Sequence, residues 1–275
     1  MAYLTDIAVN LMGQAFDHDR ESVLEAARVA GVNRVIITGC DIETSASAFA
    51  FATGRAEGFA ASLAGNCYST AGVHPHNAKN WNDETKTGLK ELFLRGCKSV
   101  IAAVGECGLD YNRNFSPQDI QRKCFEDQLA IASELGKPVF LHERDAFEDF
   151  FSILKKYRPE LPGAVVHCFT GTEAELEAYL SLDCYIGITG WICDERRGGH
   201  LIPLVKNIPQ DRLLLETDSP YLLPRNLPRS LKGKSGRNEP RFLPHIAVFT
   251  AEISGVSFDR LAEQTSANAS TLFNI

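Results

Sequence analysis

Short apolar runs alternate with segments of helical periodicity along the whole chain. The first apolar run is Asp6–Leu11, and the segment Asp19–Gly31 behind it places Val23, Ala26 and Ala30 on one helical face. Many of the runs are rich in β-branched residues, which is typical of strands buried on both faces. The other predicted strands are Arg34–Cys40, Cys67–His74, Val100–Asp110, Pro138–His142, Gly163–Phe169, Cys184–Gly190 and Leu213–Asp218.

Helical segments follow the strands one by one. The further predicted helices are Glu43–Gly58, Asp83–Arg95, Gln118–Leu135, Ala146–Tyr157, Glu173–Ser181, His200–Asn207, Pro240–Ile253 and Phe258–Leu272. Eight strands, each followed by a helix, predict an α/β protein with a (β/α)8 TIM barrel that forms a single domain over residues 1–275. A doubly wound open sheet is the alternative, but no glycine-rich dinucleotide motif follows any strand.

Four of the predicted strands end in a side chain that can bind a metal ion. Glu106 follows the apolar start of one strand, His142 and His167 end two more, and Asp218 ends the last. A lone histidine in such a position is usually a hydrogen-bonded core residue, and a lone carboxylate there is costly to bury. Because barrel active sites lie at the carboxyl ends of the strands, four such groups together predict a shared divalent-metal site.

The alternation of side chains along a strand predicts which residues face this site. Val104 and Glu106 should share one face of their strand, while Cys107 points away. By the same rule Cys168 should point away from the site that His167 faces. We therefore interpret both cysteines as packing residues.

Imidazoles and carboxylates form a mixed nitrogen and oxygen site that suits Mg²⁺, Mn²⁺ or Zn²⁺. Such an ion lowers the pKa of bound water and neutralises charge on a phosphoryl or carbonyl oxygen. Asp218 could ligate the ion, accept a proton from the water, or do both. Glu216 could orient a ligand or form a buried salt bridge. His74 could contact substrate or be structural, and Arg144 could hold a phosphate or pair with a carboxylate.

Charge is unevenly distributed along the chain. The net charge of −7 argues against a protein that grips nucleic acid over its whole surface. One loop nevertheless contains six basic residues and a single acid, Glu239, and Arg196 and Arg197 follow the seventh strand. This asymmetry predicts a polyanionic substrate that is led to the metal by its phosphates. The basic loop residues are Arg225, Arg229, Lys232, Lys234, Arg237 and Arg241.

Aromatic residues lie just past the ends of three predicted strands. Tyr111, Trp191 and Tyr221 follow strands four, seven and eight. They could stack on unpaired bases of a nucleic acid. The alternative is a solvated loop against which these aromatic rings merely pack.

The eight cysteines are scattered, without a Cys-x-x-Cys pair. We interpret them as reduced core residues, which predicts a cytoplasmic location. The first twenty residues lack a basic start followed by an apolar run, so we expect no signal peptide. Because no apolar run is long enough to span a bilayer, we expect no membrane association.

Motifs spread over nearly the whole chain match one known family. They are Gly72-Val-His-Pro-His76, Gly105-Glu-Cys-Gly-Leu-Asp110, His142-Glu-Arg-Asp145, His167-Cys-Phe-Thr-Gly171 and Glu216-Thr-Asp-Ser-Pro-Tyr221. In combination they strongly resemble the TatD family of metal-dependent deoxyribonucleases. Three further segments narrow the resemblance to one subgroup of that family: Asn112–Phe115, Gly190–Arg197 and Arg237–Pro240.

The resemblance implies a TIM barrel and a Mg²⁺-dependent 3′-to-5′ exonuclease that acts mainly on single-stranded DNA and RNA. It also implies a role in the repair of oxidised DNA, and we expect a monomer. The metal ligands implied by the motifs are Glu106, His142, His167 and Asp218, of which Glu106 and Asp218 are also the predicted catalytic residues. The predicted substrate contacts are Asn10, His74, Arg144, Arg197 and Arg237.

The chain departs from the wider family at the end of the first strand. Most members have His-x-His there, whereas these positions are Ala8 and Asn10. Alanine cannot ligate a metal, and an asparagine carbonyl is a weak oxygen ligand. We therefore expect one firm site built from Glu106, His142 and His167. A second ion near Asp218 and Glu106 is expected to bind only when substrate phosphate is present.

Two other functions remain as alternatives. A small-molecule amidohydrolase or phosphotriesterase-like hydrolase could use the same barrel, but such enzymes usually rely on the strand-one His-x-His and often on a bridging lysine. Neither feature is evident here. A non-catalytic, metal-stabilised nucleic-acid-binding protein would not need Asp218 beside the ligands.

Overall fold

In the computed structural model, which describes residues 3–55, 66–95, 100–232 and 236–275, eight parallel strands form one sheet in sequence order. A parallel bridge between Val9 and Ser219 brings the first and last strands together, and the N–H of Asn10 donates to the Ser219 carbonyl at 2.8 Å. The sheet is therefore a nearly closed barrel, as predicted. The strands β1–β8 are Leu4–Val9, Val32–Ile37, Cys67–Ala71, Ile101–Asp110, Val139–Arg144, Ala164–Val166, Tyr185–Ile188 and Leu213–Leu215.

Helices cover the outside of the barrel. Local sequence fixes several of their ends: Thr172 and Glu175 form a capping box, and Gly136 ends the longest helix in the left-handed conformation. No helix within the described part of the chain combines the length and apolar character needed to cross a bilayer. The helices α1–α9 are Arg20–Val29, Ile42–Ala52, Asp83–Arg95, Gln118–Leu135, Phe147–Tyr157, Glu173–Ser181, Leu201–Asn207, Leu243–Ser254 and Phe258–Phe273.

Predicted element bounds are confirmed for α3, α4 and α6 and differ elsewhere. The predicted helix Glu43–Gly58 ends at Ala52, and its last three residues lie outside the described ranges. Strands β6 and β8 end three residues before Phe169 and Asp218, because the chain leaves the hydrogen-bonded ladder there. Left-handed φ angles of 48° at Cys168 and 52° at Asp218 mark that departure.

Two apolar layers surround the strands. The barrel interior contains Phe140, Val165 and Leu214, and α9 closes its lower end with Leu272 and Phe273. A larger layer fills the space between the outer face of the strands and the helices. Polar residues are thus left for the upper, carboxyl-terminal face.

Strand β4 does not keep the simple alternation that its sequence predicts. Val104 and Cys107 both pack in the outer layer, although Val104 was predicted to share a face with Glu106. The pairing of β4 with β5 shifts register between Val104 and Cys107, and this irregularity turns Glu106 inward. The predicted direction of Glu106 is therefore confirmed, and the predicted direction of Val104 is wrong.

Two glycines provide a matched test of this packing. Gly108 has a φ of 145°, and an added Cβ would lie 1.9 Å from the carbonyl oxygen of His142. We expect Gly108→Ala to lower the free energy of unfolding by about 2–5 kcal/mol through left-handed strain and overpacking. Gly88 lies inside α3, where an added Cβ meets only Ile42 Cγ2 at 3.8 Å. Gly88→Ala should raise stability by about 0.5–1 kcal/mol.

Urea unfolding of both variants checks these signs. Equal stability of the Gly108→Ala variant and the unaltered protein would contradict the close approach of β4 and β5.

Candidate metal centre and nucleic-acid site

Glu106 is the carboxylate on which the site converges. Its Oε1 lies 2.8 Å from His167 Nε2, 3.0 Å from His142 Nδ1 and 3.2 Å from His74 Nε2. Burial acts to raise the pKa of Glu106, but the facing histidines outweigh burial and hold this pKa well below its ordinary value. The structure therefore keeps an ionised carboxylate among three imidazoles.

His74 lies inside this cluster rather than at its edge. The ligand atoms of His74, Glu106 and His142 all lie within 4.8 Å of one another, which is compact enough to hold one metal ion. The backbone N–H of His76 donates to His74 Nδ1 at 3.1 Å and so fixes the ring. Burial lowers the pKa of His74 to about 4, so its imidazole is neutral near neutral pH and can bind a metal.

Glu216 supports His167 from the barrel interior. Its side chain is fully buried, with Oε2 at 3.5 Å from His167 Nδ1, while Oε1 accepts a hydrogen bond from the N–H of Cys168. Burial lowers the pKa of His167, but Glu106 and Glu216 raise this pKa well above its ordinary value. The contact between Glu216 and His167 fits both interpretations of Glu216, because a buried ion pair with this ring also orients it.

Cys168 is where the predicted alternation fails. It lines the pocket, although we predicted that it points away. Strand β6 has already ended at Val166, so the pleat no longer sets the direction of its side chain. The corresponding prediction for Cys107 is confirmed, since that thiol is buried in the outer apolar layer.

Asp218 reaches the pocket from the loop after β8. Asn10 Nδ2 donates to Asp218 Oδ1 at 2.9 Å, and the N–H of Asp218 donates to the Ala8 carbonyl at 3.0 Å. Burial raises the pKa of Asp218 to about 7, and the charges of Glu106 and Glu216 act in the same direction. Asn10 is thus a partner of Asp218, and this carboxyl can exchange a proton near neutral pH.

Asp110 belongs to the site, although the sequence interpretation missed it. Its Oδ2 lies 2.6 Å from His76 Nε2 and 3.5 Å from His142 Nε2. Since Asp110 is four residues after Glu106 on β4, the alternation rule could have found it. A carboxylate behind a histidine ring nitrogen is the usual way to orient a metal-binding imidazole.

Arg144 and Arg197 come together at the rim of the barrel. Both guanidinium groups contact the Trp191 ring, whose centroid lies 5.2 Å from Arg144 Cζ and 4.4 Å from Arg197 Cζ. Arg197 Nε also donates to Asp194 at 3.0 Å. Arg225 Nε lies 3.5 Å from the same buried carboxylate, so the loops after β7 and β8 share one cationic cluster.

Arg237 lies elsewhere. Its guanidinium pairs with Asp19 at 2.6 Å and with Glu239 at 2.9 Å, and it covers the Phe16 ring. These contacts tie the loop after β8 to the segment after β1, which is a structural role. Lys234, another member of the predicted basic loop, lies outside the described residues.

A buried network beneath Asp218 joins the first and last strands. Asp6 Oδ1 accepts a hydrogen bond from the N–H of Thr217 at 2.9 Å, and Asp6 Oδ2 is hydrogen-bonded to Thr217 Oγ1 at 2.6 Å. Thr217 Oγ1 is also 3.0 Å from Ser219 Oγ, and the Thr217 carbonyl accepts from Asn238 Nδ2 at 2.9 Å. Burial raises the pKa of Asp6 to about 8. This protonated acid therefore fixes the backbone on both sides of Asp218.

The pocket above these residues has the donors that a divalent cation needs. Three imidazole nitrogens, His74 Nε2, His142 Nδ1 and His167 Nε2, face the carboxylate of Glu106 there. Imidazole nitrogens and carboxylate oxygens fit such an ion. The cavity has a volume of about 340 Å³ and is lined by Asn10, Cys40, His74, His76, Glu106, His142, His167, Cys168, Asp218 and Tyr221.

A barrel with carboxylates and imidazoles at the carboxyl ends of its strands defines a metal-dependent hydrolase. The chain belongs to the family of TatD-related DNases, whose model matches residues 5–274. The predictions of the family and of a nuclease are thereby confirmed.

Relatives at about half identity share one name, 3′-5′ ssDNA/RNA exonuclease TatD. Those from Rahnella sp. and Cronobacter sakazakii are each 50% identical over 268 residues, which cover 98% of this chain and 97% of the relative. The predicted resemblance to one subgroup of the family is thereby confirmed, and these relatives identify that subgroup as TatD itself.

Solved structures agree with this assignment. A TatD homologue from Escherichia coli K12 superposes with a TM-score of 0.87 at 26% identity, covering 99% of this chain and 98% of the other. A TatD family hydrolase from Entamoeba histolytica gives 0.83 at 25% identity and 99% coverage of both chains. A phosphotriesterase homology protein from Escherichia coli, at 14% identity and a TM-score of 0.65, shares the fold alone; it covers 99% of each chain.

The Asp6 network predicts a specific pH dependence of stability. The native state keeps a proton on Asp6 up to about pH 8, while the unfolded chain releases it near the ordinary pKa of 3.8. Stability contributed by this group is therefore lost as the pH rises. Between about pH 5 and about pH 7, the unaltered protein should lose roughly 1 kcal/mol per pH unit relative to Asp6→Asn, whose amide stays neutral.

Urea unfolding in EDTA measures this difference without bound metal. Asp211→Asn is the matched control, because the Asp211 carboxylate is exposed. Parallel pH curves for the unaltered protein and Asp6→Asn would contradict a protonated Asp6.

Proposed function

We propose that this chain is a metal-dependent 3′-5′ exonuclease that hydrolyses phosphodiester bonds of single-stranded DNA and RNA. The observation that carries the proposal is the convergence of three imidazoles on Glu106, with Asp218 in the same pocket. The polarity and substrate come from relatives at about half identity, which carry the name 3′-5′ ssDNA/RNA exonuclease TatD.

The proposed metal ligands are Glu106, His142, His167 and Asp218, with His74 as a further donor. The compact arrangement around Glu106 Oε1 supports the first three and His74. A bound divalent ion would supply hydroxide near neutral pH and neutralise charge on the phosphoryl oxygens. We propose Mg²⁺, with Mn²⁺ or Zn²⁺ as alternatives, because hard oxygen donors stand beside imidazoles here.

Asp218 is the proposed proton acceptor. Its carboxylate lies in the same pocket as Glu106, where it can take a proton from the attacking water. Asn10 holds one carboxylate oxygen, and the Asp6 network holds the backbone, so the side chain has a fixed position. Glu106 has the second proposed catalytic role, because its ionised carboxylate sets the positions of the surrounding imidazoles.

The cationic cluster at the rim is the proposed contact for substrate phosphates. Arg144 and Arg197 contact the Trp191 ring, and Arg197 and Arg225 pair with Asp194, so the arginines outnumber the carboxylate that they contact. A chain of net charge −7 that concentrates arginines beside its pocket favours a polyanion over a neutral small molecule. This is the observation that favours a nuclease over an amidohydrolase.

The proposed substrate contacts are those predicted from the sequence, except that Arg237 is given an indirect role. Asn10 and His74 line the pocket, and Arg144 and Arg197 stand at its rim. Arg237 is proposed to act on substrate only through the loop it secures, since Asp19 and Glu239 hold its guanidinium. The monomeric state, the cytoplasmic location and a role in DNA repair stay predictions.

End-labelled single strands test the polarity and the metal requirement. With Mg²⁺, a 3′ label should be released at once, while a 5′-labelled strand should shorten as a ladder. EDTA should stop both reactions, because the Glu106 cluster would lose its ion. Internal cuts alone would contradict the polarity, and cleavage that persists in EDTA would contradict the metal requirement.

Asp218→Asn separates an enzyme from a binding protein. Removing the proton acceptor should lower kcat by about 10²–10⁴-fold while strand binding remains. Single-turnover cleavage and fluorescence anisotropy measure the two quantities. Asp211→Asn changes an exposed carboxylate and should retain full activity. Turnover by Asp218→Asn within twofold of the unaltered protein would exclude the proposed role.

A further inference from the structure

Two aromatic rings stand exposed at the mouth of the pocket. Phe115 is 57% exposed and Tyr221 is 61% exposed, although large apolar rings are usually covered. Tyr221 lines the cavity itself, and the Phe115 ring meets the cavity-lining His76 with centroids 4.7 Å apart. Both rings therefore border the place where the proposed reaction occurs.

The segments that carry the two rings leave the barrel on opposite sides of its circle of strands. Phe115 follows β4, and Tyr221 follows β8. Because the eight strands are arranged in sequence order around the barrel, β4 and β8 are four positions apart, which is half of the circle. A strand whose phosphate lies between Glu106 and Asp218 would pass from one ring to the other.

The segment that carries Phe115 is held in place. Ser116 is fully buried, and its Oγ donates to the His76 carbonyl and accepts from the N–H of Lys79, both at 3.0 Å. Gln121 Nε2 donates to the Ser116 carbonyl at 2.8 Å. An exposed ring on a fixed backbone loses little conformational freedom when a flat ligand stacks on it.

The segment that carries Tyr221 is equally tied to the site. Its N–H donates to the Asp218 carbonyl at 3.0 Å, and the N–H of Asn238 donates to the Pro220 carbonyl at the same distance. The backbone that carries the Tyr221 ring is therefore hydrogen-bonded to the backbone of Asp218, the proposed proton acceptor.

The other aromatic residues at the rim are already engaged. Tyr111 Oη donates to Asp149 at 2.6 Å, and the Trp191 ring contacts the guanidinium groups of Arg144 and Arg197. Of these four aromatic residues, Tyr111 and Trp191 are partly buried, whereas Phe115 and Tyr221 are more than half exposed.

We infer that Phe115 and Tyr221 are stacking platforms for the two nucleobases that flank the scissile phosphodiester. The inference deepens the proposed function and rests on it. Aromatic stacking tolerates every base, since each base has a π-face, but it requires a base that is free of its duplex partner. The two rings would thereby select single strands without selecting a sequence.

Abasic substrates test this inference. Phe115→Ala and Tyr221→Ala should each lower kcat/KM on a natural single strand about ten- to hundredfold, mainly through KM. Each loss should shrink to less than about twofold on a strand that lacks the base stacked by that ring. Phe115→Trp and Tyr221→Phe should retain activity, because they keep a ring. Leu94→Ala is the matched control, since Leu94 is 76% exposed on α3.

Binding supplies an independent measurement. In the Asp218→Asn background, a 3′-terminal 2-aminopurine strand should lose fluorescence on binding, and loss of one of the two rings should restore the signal. Equal losses on natural and abasic strands, or full activity of both alanine variants, would overturn the inference while leaving the nuclease intact. Failure of the unaltered protein to cleave any strand would overturn the proposed function itself.

Discussion

A buried carboxylate must have partners, and Glu106 meets this requirement with imidazoles from three other segments. His74 follows β3, His142 lies on β5, and His167 follows β6, so these contacts depend on the mutual register of four consecutive strands. The register shift within β4 also makes these contacts possible, because it turns Glu106 inward. The geometry of the site therefore depends on the register of the strands that form the barrel wall around it.

The opposite side of the pocket depends on closure of the barrel. Asp6 on β1 holds Thr217, and the carbonyl of Ala8 holds the N–H of Asp218. These hydrogen bonds stand where β1 meets the loop after β8. The chain therefore uses the residues that close the sheet to place the carboxyl with a pKa of about 7. Asn10 completes this arrangement by donating a hydrogen bond to the Asp218 carboxylate.

Arginines and exposed aromatic rings occupy different parts of the rim. The arginines that contact Trp191 concentrate positive charge, while Phe115 and Tyr221 present exposed rings at the mouth. A nucleic acid needs both kinds of contact when its bases are unpaired. Arg237, by contrast, joins two loops through its ion pairs with Asp19 and Glu239.

The sequence by itself determined the barrel and most of the site, because hydrophobic periodicity and strand-end chemistry are local properties. The strand-end residues Glu106, His142, His167 and Asp218 all reach the predicted mouth. Only the tertiary structure decided the direction of Val104 and Cys168 and brought His74 within reach of Glu106. It also decided the pairing of Arg237 with Asp19. Register shifts, left-handed turns and contacts between distant loops arise from packing of the whole chain, and no window of sequence contains them.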